Sequence, residues 1–128
     1  MSAARGFTLL ELITVIALVG ILAAIALPQY KVAIIQAKEA TLREDLYRFR
    51  DLIDQYQADK GKYPASLEAL VQEGYLRRVP EDPFTKLPDW QVVYEELDPD
   101  RPGETPGVFD VKSSAEMVSL SGTSYNEW

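Results

Sequence analysis

An apolar segment with a single charge extends over residues 7–27, and the charged residue is Glu11. About 20 apolar residues are enough to cross a bilayer as a helix. A carboxylate inside such a segment is unfavourable, by about 2.5 kcal/mol or more at mid-membrane. The pattern therefore predicts a membrane-spanning helix and a partner that neutralises Glu11.

Helical periodicity continues beyond the apolar segment, on the far side of Pro28. The stripe of apolar side chains comprises Ile35, Leu42, Leu46, Phe49, Ile53 and Tyr56, with Leu52 alongside. Charged residues occupy the opposite face, which is typical of an amphipathic helix on a small core. We interpret Pro28 as a kink within one long helix. Gly is common just after a helix, so we expect this one to end at Lys60-Gly61.

Shorter elements are predicted in the second half of the chain. Ser66 is positioned to cap a short helix whose inner face carries Leu67, Leu70 and Val71. Residues 90–94 and 108–111 have strand composition, and a loop rich in Pro and Gly separates them. We expect the apolar side chains of the polar tail to pack against the domain; these are Met117, Val118, Leu120, Tyr125 and Trp128.

Composition narrows the possible chemistry. The 128 residues include no Cys and no His, which excludes disulfides, zinc or haem sites, and Cys or His catalysis. The net charge is −7. The acidic residues are concentrated in the C-terminal third, which should repel nucleic acid. That third either attracts a hard cation or forms a solvated acidic surface.

The candidate processing site lies before the apolar segment, at Gly6-Phe7. An ordinary secretory signal is cut after its apolar region. Cleavage at Gly6-Phe7 would instead leave the apolar segment on the mature protein as an anchor. Arg5 favours a cytoplasmic N-terminus through the positive-inside bias, with the rest of the chain facing outward.

Residues 6–12, Gly-Phe-Thr-Leu-Leu-Glu-Leu, resemble the processing site of type IV pilins and type II secretion pseudopilins. The resemblance implies that a prepilin peptidase cuts after Gly6 and methylates the new N-terminal Phe7. Gly20 and Pro28 fall where the family has residues that loosen the helix. The implied fold is α+β and pilin-like. In it one long N-terminal helix, membrane-spanning in its first half, packs on a small antiparallel sheet with a short helix.

The soluble half is most similar to the major pseudopilins of type II secretion systems. The supporting segments include Gly61-Lys62-Tyr63-Pro64, Asp82-Pro83-Phe84 and Asn126-Glu127-Trp128. We expect a leader at 1–6, a membrane or filament-core half-helix at 7–28, an amphipathic half-helix at 29–60 and a small globular head at 61–128. One departure is Phe84-Thr85, where the family usually has Trp-Gly.

A second departure concerns calcium, which the family's major pseudopilins hold with aspartates in a C-terminal loop. In this chain the loop at 113–121 has one acidic residue, Glu116, and Ser124 stands where the family has a ligand Asp. Calcium takes 6–8 oxygen ligands. Glu116, Ser119, Ser121, Ser124 and backbone carbonyls could supply a weak site. The alternative is a cation-free loop held by Tyr125 and Trp128.

The resemblance implies a structural subunit of a pilus-like helical filament that drives protein export across an outer membrane. The implied partners are copies of the chain itself, prepilin peptidase, minor pseudopilins, and an inner-membrane assembly platform with a cytoplasmic ATPase. Lipid would surround the anchor before assembly. The expected location is the inner membrane in a single pass, with a periplasmic head, followed by a periplasmic filament or the cell surface.

Glu11 has a clear role in such a filament. Cleavage would create a positive amine at Phe7, and Glu11 of one subunit would pair with the Phe7 amine of its neighbour. An unpaired buried charge costs about 3–5 kcal/mol, so pairing would select the axial register. Pairing within one chain is the alternative before assembly.

Other classes of function remain as alternatives. The chain could be a major or minor type IV pilin of a surface pilus, although the absence of Cys and the short head favour a pseudopilin. An anchored binding domain would not need Glu11. An anchored enzyme would have to use carboxylate pairs, as glycosidases do. The available pairs lie in loops beside Pro and are interpreted as turn residues and solvated surface: Glu81/Asp82, Glu95/Glu96 and Asp98/Asp100. We therefore do not expect an enzyme.

Overall fold

The computed structural model describes residues 4–128, so the first three residues of the expected leader lie outside the described part. Two helices are followed by two strands and a final turn of 3-10 helix. In chain order they are α1 (Leu9–Lys60), α2 (Leu67–Gln72), β1 (Gln91–Tyr94), β2 (Val108–Lys112) and the 3-10 turn (Tyr125–Glu127). One unit ends at Ile35, and Gln36–Trp128 forms a second, compact unit. The arrangement confirms the α+β, pilin-like fold class.

Helix α1 begins at Leu9 because Thr8 caps it. The Thr8 hydroxyl accepts a hydrogen bond from the Glu11 backbone N–H at 3.2 Å, which satisfies one of the free donors of the first turn. Pro28 lies inside the helix, as predicted. After Lys60 the chain turns at Gly61, which has a φ of 72° and donates its N–H to the Gln57 carbonyl at 2.8 Å. Helices commonly end with a residue in the left-handed backbone conformation, and Gly adopts this conformation without strain.

The remaining elements follow the predicted boundaries closely. The Ser66 hydroxyl accepts a hydrogen bond from the Ala69 N–H at 3.3 Å and caps α2. Strands β1 and β2 pair antiparallel, with Gln91 opposite Lys112 and Tyr94 opposite Val108. An irregularity between Val93 and Tyr94 interrupts the register. The sheet therefore has two short strands, formed by the two segments whose composition predicted them.

The hydrophobic core of the second unit lies between the later turns of α1, α2 and the sheet. It comprises Leu42, Leu46, Phe49, Ile53, Tyr56, Leu67, Leu70, Trp90, Val108, Val111, Ala115 and Tyr125. Phe49 and Trp90 meet edge to face with ring centroids 5.0 Å apart. The Trp90 indole N–H donates to the Pro80 carbonyl at 2.7 Å, so this buried polar group is satisfied. The predicted stripe of α1 is confirmed, although Ile35 and Leu52 at its margins are only half-buried.

The entry to β2 needs a residue without a side chain. The Val108 N–H donates to the Pro64 carbonyl at 2.7 Å, which draws the two segments together. A Cβ at Gly107 would lie 2.5 Å from the Tyr63 Cβ and 2.8 Å from the Tyr63 carbonyl oxygen. Tyr63 lies so close to the backbone at position 107 that only Gly fits there.

The prediction for the tail is right for two residues and wrong for three. Tyr125 is buried and Trp128 packs against the core, as expected. Met117, Val118 and Leu120 are at least half exposed. The reason is a tight hairpin in which Val118 pairs with Ser124 and the Ser119 N–H donates to the Thr123 carbonyl at 2.7 Å. This hairpin buries Ser119 and turns its apolar neighbours outward.

Candidate functional site

The N-terminal part of α1 is an exposed apolar surface. Its large side chains are all exposed from Leu9 to Tyr30, at 49% or more. Within the described residues, α1 is the one helix long and apolar enough to cross a membrane. An apolar surface of this extent is not stable in water and marks contact with lipid or with another protein.

Glu11 lies in the first turn of this helix, just after the expected cleavage site. Residues 4–8 have no regular secondary structure and are exposed, so the Gly6-Phe7 bond is accessible. The helix dipole favours a carboxylate in a first turn. Sequence reasoning missed Thr8, although Thr8-Leu9-Leu10-Glu11 matches the capping-box pattern that marks a helix start.

Gly20 and Pro28 are both exposed positions inside the unbroken helix. A Cβ at Gly20 would meet no heavy atom within 4 Å. Close packing inside the chain therefore does not explain this glycine. Pro28 removes one backbone hydrogen bond, and Gly lowers helix stability. The two residues are thus intrinsic weak points of α1.

The structure brings together two of the four predicted calcium ligands. The Ser119 hydroxyl shares hydrogen bonds of 2.9 Å with Ser121 and Thr123, so two predicted ligands are brought together. The Ser124 hydroxyl instead donates to the Asn126 side chain at 2.7 Å. Glu116 is exposed. Within residues 4–128, no three Asp, Glu, His or Cys side chains are grouped to hold a metal ion.

Glu39 was missed as a site residue, although its spacing is informative. It stands three residues before Leu42 and seven before Leu46, on the apolar stripe of α1. Its side chain is buried, and one carboxylate oxygen accepts hydrogen bonds from the Leu120 N–H at 2.9 Å and the Tyr125 hydroxyl at 2.8 Å. Burial, reinforced by the bond to Glu39, raises the pKa of Tyr125 to about 12. A charged residue within an apolar stripe is the signal that should have identified it.

Tyr125, which donates to Glu39, is part of a cluster of aromatic rings that two arginines contact. Tyr125 stacks on Phe84 with ring centroids 3.9 Å apart and meets Trp128 edge to face at 5.1 Å. The Arg43 guanidinium lies 4.5 Å from the centre of the Trp128 ring, and Arg50 donates to the Trp128 carbonyl at 2.8 Å. Phe84, the departure from the family pattern, therefore forms one wall of the cluster.

The interpretation of the carboxylate pairs as solvated surface is wrong for Asp82. It is a turn residue, as predicted, but it is fully buried and not part of a solvated surface. One oxygen accepts the Phe84 N–H at 2.8 Å and the Thr85 N–H at 3.4 Å, and the other accepts the Ser113 hydroxyl. A buried carboxylate is tolerated where several donors satisfy it.

The other carboxylate pairs have structural contacts. The half-buried Glu95 accepts the Gly107 N–H at 3.1 Å, and the exposed Asp98 accepts the Asp100 N–H at 3.0 Å. The first bond joins the two ends of the loop between β1 and β2. The second fixes the local turn at Asp98.

An apolar helix that begins with a processing motif, in a chain that also carries a small α/β head, defines the pilin-like class of proteins. The family model described as "Prokaryotic N-terminal methylation motif" matches residues 1–27. The more specific assignment comes from whole-chain similarity to proteins named type II secretion system core protein G. The chain belongs to this family, the major pseudopilins of type II secretion.

Three relatives illustrate the match. The protein from Klebsiella michiganensis is 32% identical, covering 88% of this chain and 83% of its own length. The protein from Pseudomonas aeruginosa is 34% identical, covering 84% and 80%. The protein from Escherichia coli K12 is 31% identical, covering 86% and 80%. No solved structure matches the chain significantly. These relatives confirm the resemblance and favour a structural role over an enzymatic one.

Proposed function

We propose that this pseudopilin assembles with copies of itself into a helical filament whose register is set by pairing of Glu11 with the Phe7 amine of the next subunit. The observation that carries the proposal is the position of Glu11. It is the one carboxylate on the exposed apolar part of α1, and it lies within a turn of the expected new N-terminus.

Processing would prepare both charges. Prepilin peptidase would cut after the exposed Gly6 and methylate Phe7, leaving a positive amine four residues before Glu11. Before assembly, α1 would anchor the chain once in the inner membrane, with Arg5 on the cytoplasmic side and the head in the periplasm. Lipid would then cover the exposed apolar surface.

Pairing would occur as a subunit leaves the bilayer for the filament. The charge of Glu11 and the amine of its neighbour would neutralise one another in an apolar core, where an unpaired charge costs about 3–5 kcal/mol. A subunit displaced along the axis would lose this pair. The contact joins different surfaces of neighbouring copies and does not close, so repetition produces a helix.

The remaining N-terminal features fit close packing of α1 in such a filament. Small side chains let helix backbones approach each other; in this segment they are Ala17, Gly20, Ala23, Ala24 and Ala26. Gly20 and Pro28 would let the helix loosen locally as the filament extends. Minor pseudopilins and an inner-membrane platform with a cytoplasmic ATPase would start and drive assembly.

The test compares filaments from cells that overproduce the wild type, Glu11→Ala and Glu11→Gln, using electron microscopy and N-terminal mass spectrometry. Thr14→Ala is the matched control, since Thr14 is a polar residue of the same helix whose hydroxyl bonds only locally, to the Leu10 carbonyl at 2.8 Å. We expect filaments from the wild type and Thr14→Ala, built from chains that begin at methylated Phe7. Both Glu11 variants should be processed but should not form filaments.

Two results would contradict the proposal. Equal filaments from Glu11→Gln and the wild type would show that the charge does not set the register. Uncut chains without filaments in the wild type would favour an anchored domain.

A further inference from the structure

The hydroxyl groups of Ser119, Ser121 and Thr123 in the C-terminal loop, residues 117–125, are bonded within the protein itself. Besides its bonds to Ser121 and Thr123, the Ser119 hydroxyl accepts the Thr123 N–H at 3.1 Å. The Trp128 indole N–H donates to the Thr123 hydroxyl at 2.8 Å. Calcium takes 6–8 oxygens and usually several carboxylates. The side chains available here, the exposed Glu116 just before the loop and hydroxyls that bond to each other, do not fit such an ion.

A carboxylate does reach the loop, but it comes from α1. Glu39 is 81 residues from Leu120 in sequence, yet its Oε1 accepts the Leu120 N–H and, from the other side of the loop, the Tyr125 hydroxyl. Bonds to an ionised acceptor are stronger than neutral ones, and burial strengthens them further. Two points of the loop are thereby fixed to one side chain of the helix.

Trp128 also holds the loop in place, and two arginines contact it. Arg43 lies over the face of Trp128, whose N–H is bonded to the loop, and Arg50 bonds the Trp128 carbonyl. Two guanidinium groups therefore contact Trp128, which is itself bonded to the loop.

We propose that the buried carboxylate of Glu39 fastens the C-terminal loop, residues 117–125, to α1 and orders it without a divalent cation. Glu39 is then a positioning residue for the surface of the head, on which Met117, Val118 and Leu120 are presented outward. Glu39 would hold the loop in this way in the single chain, whether or not a filament forms.

The test measures hydrogen–deuterium exchange of the full chain in detergent micelles, in CaCl2 and in EGTA, for the peptides that cover residues 117–125. We expect the wild type to exchange at the same rate in both conditions. In Glu39→Ala the loop amides should exchange faster by about ten- to a hundredfold, the size of losing bonds to a charged acceptor. Glu44→Ala, an exposed glutamate on the same helix, is the matched control and should leave the loop unchanged.

Two further variants keep the test decisive if Glu39→Ala fails to fold. Glu39→Gln retains an oxygen acceptor without the charge, and Tyr125→Phe removes one of the two donors. Both should raise loop exchange by less than Glu39→Ala would, and neither should respond to calcium. Slower exchange of the wild-type loop in CaCl2, lost in Glu116→Gln, would overturn the proposal and identify a calcium site. Unchanged exchange in a folded Glu39→Ala protein would also overturn it.

Discussion

Arg50 and Asp110 join α1 to β2 across 60 residues of sequence. The Arg50 Nε donates to the Asp110 Oδ1 at 2.8 Å, and the same oxygen accepts the Val111 N–H at 2.8 Å. The Arg50 Nη2 donates to the Trp128 carbonyl at 2.8 Å. One guanidinium therefore connects the helix, the sheet and the end of the described chain.

Removing the Arg50 side chain should lower the stability of the head. Because the pair is partly exposed, we expect Arg50→Ala to lower the free energy of unfolding by about 2 kcal/mol. Arg50→Lys should recover only part of that loss, since an ammonium group cannot reproduce the planar fork of donors. Denaturant unfolding of the full chain in detergent measures both variants. Arg48→Ala is the control, because its ion pair with Glu44 is well exposed and should contribute less than about 1 kcal/mol. Equal losses for the two alanine variants would contradict the prediction.

Asp82 and Glu81 are neighbours that should respond very differently to truncation. Asp82→Ala leaves the Phe84 N–H, the Thr85 N–H and the Ser113 hydroxyl without their acceptor. We expect a loss of about 3 kcal/mol of unfolding free energy, as for buried groups left unsatisfied. Glu81→Ala should change stability by less than about 0.5 kcal/mol, because Glu81 is exposed. The same unfolding measurement compares them, and a small effect at Asp82 would show that its bonds are dispensable.

Tyr125 should make the stability of the head depend on pH above neutrality. Burial and the bond to Glu39 raise the pKa of Tyr125 from 10.0 to about 12, so the folded state favours the neutral phenol. Its contribution to stability is therefore complete below about pH 10 and is lost as the pH rises toward about 12. Tyr125→Phe removes this ionisation, so its stability should fall less over that interval than that of the wild type. Unfolding experiments across the interval measure the difference, with the exposed Tyr47→Phe as control. Parallel curves for the wild type and Tyr125→Phe would refute the prediction.

Gly20 offers a way to separate folding of the single chain from filament assembly. A methyl group at this position meets open space, and replacing Gly by Ala strengthens a helix by about 1 kcal/mol. Gly20→Ala should therefore be inserted and processed normally but should form fewer filaments, because the helix can no longer loosen there. N-terminal mass spectrometry and electron microscopy check the two halves of this prediction. Ile21→Val, which alters the next side chain but not the backbone preference, is the control. Wild-type filament numbers for Gly20→Ala would show that loosening at this residue is not needed.

Local signals predicted most of the secondary structure. The 3.6-residue spacing of apolar side chains predicted α1 through Pro28, and Ser66 predicted the start of α2, because both depend on neighbours in sequence. The two strand segments were recognised from their composition, and they pair as β1 and β2. The role of Thr8 could also have been predicted from its spacing to Glu11, since a cap acts within one turn.

Contacts between distant segments were not predictable in the same way. Glu39 lies on the core side of the helix, but the sequence does not show that Leu120 and Tyr125 will satisfy its carboxylate. The sequence predicts a solvated Asp82, because it does not show that the Ser113 hydroxyl, 31 residues away, will cover this carboxylate. Met117, Val118 and Leu120 were expected to be buried, yet the hairpin that closes at Ser119 and Thr123 turns them outward.

The sequence by itself therefore determined the long helix, the exposed apolar surface, the lone Glu11 and the processing motif before it. These features follow from residue order and from the free energy of transferring apolar and charged groups out of water. Only the tertiary structure decided how the head is held together, through Glu39, Asp82 and Arg50. The physical reason is that these charged groups are stable in the fold only where hydrogen-bonding partners surround them, and partners that are distant in sequence are brought together only by the fold.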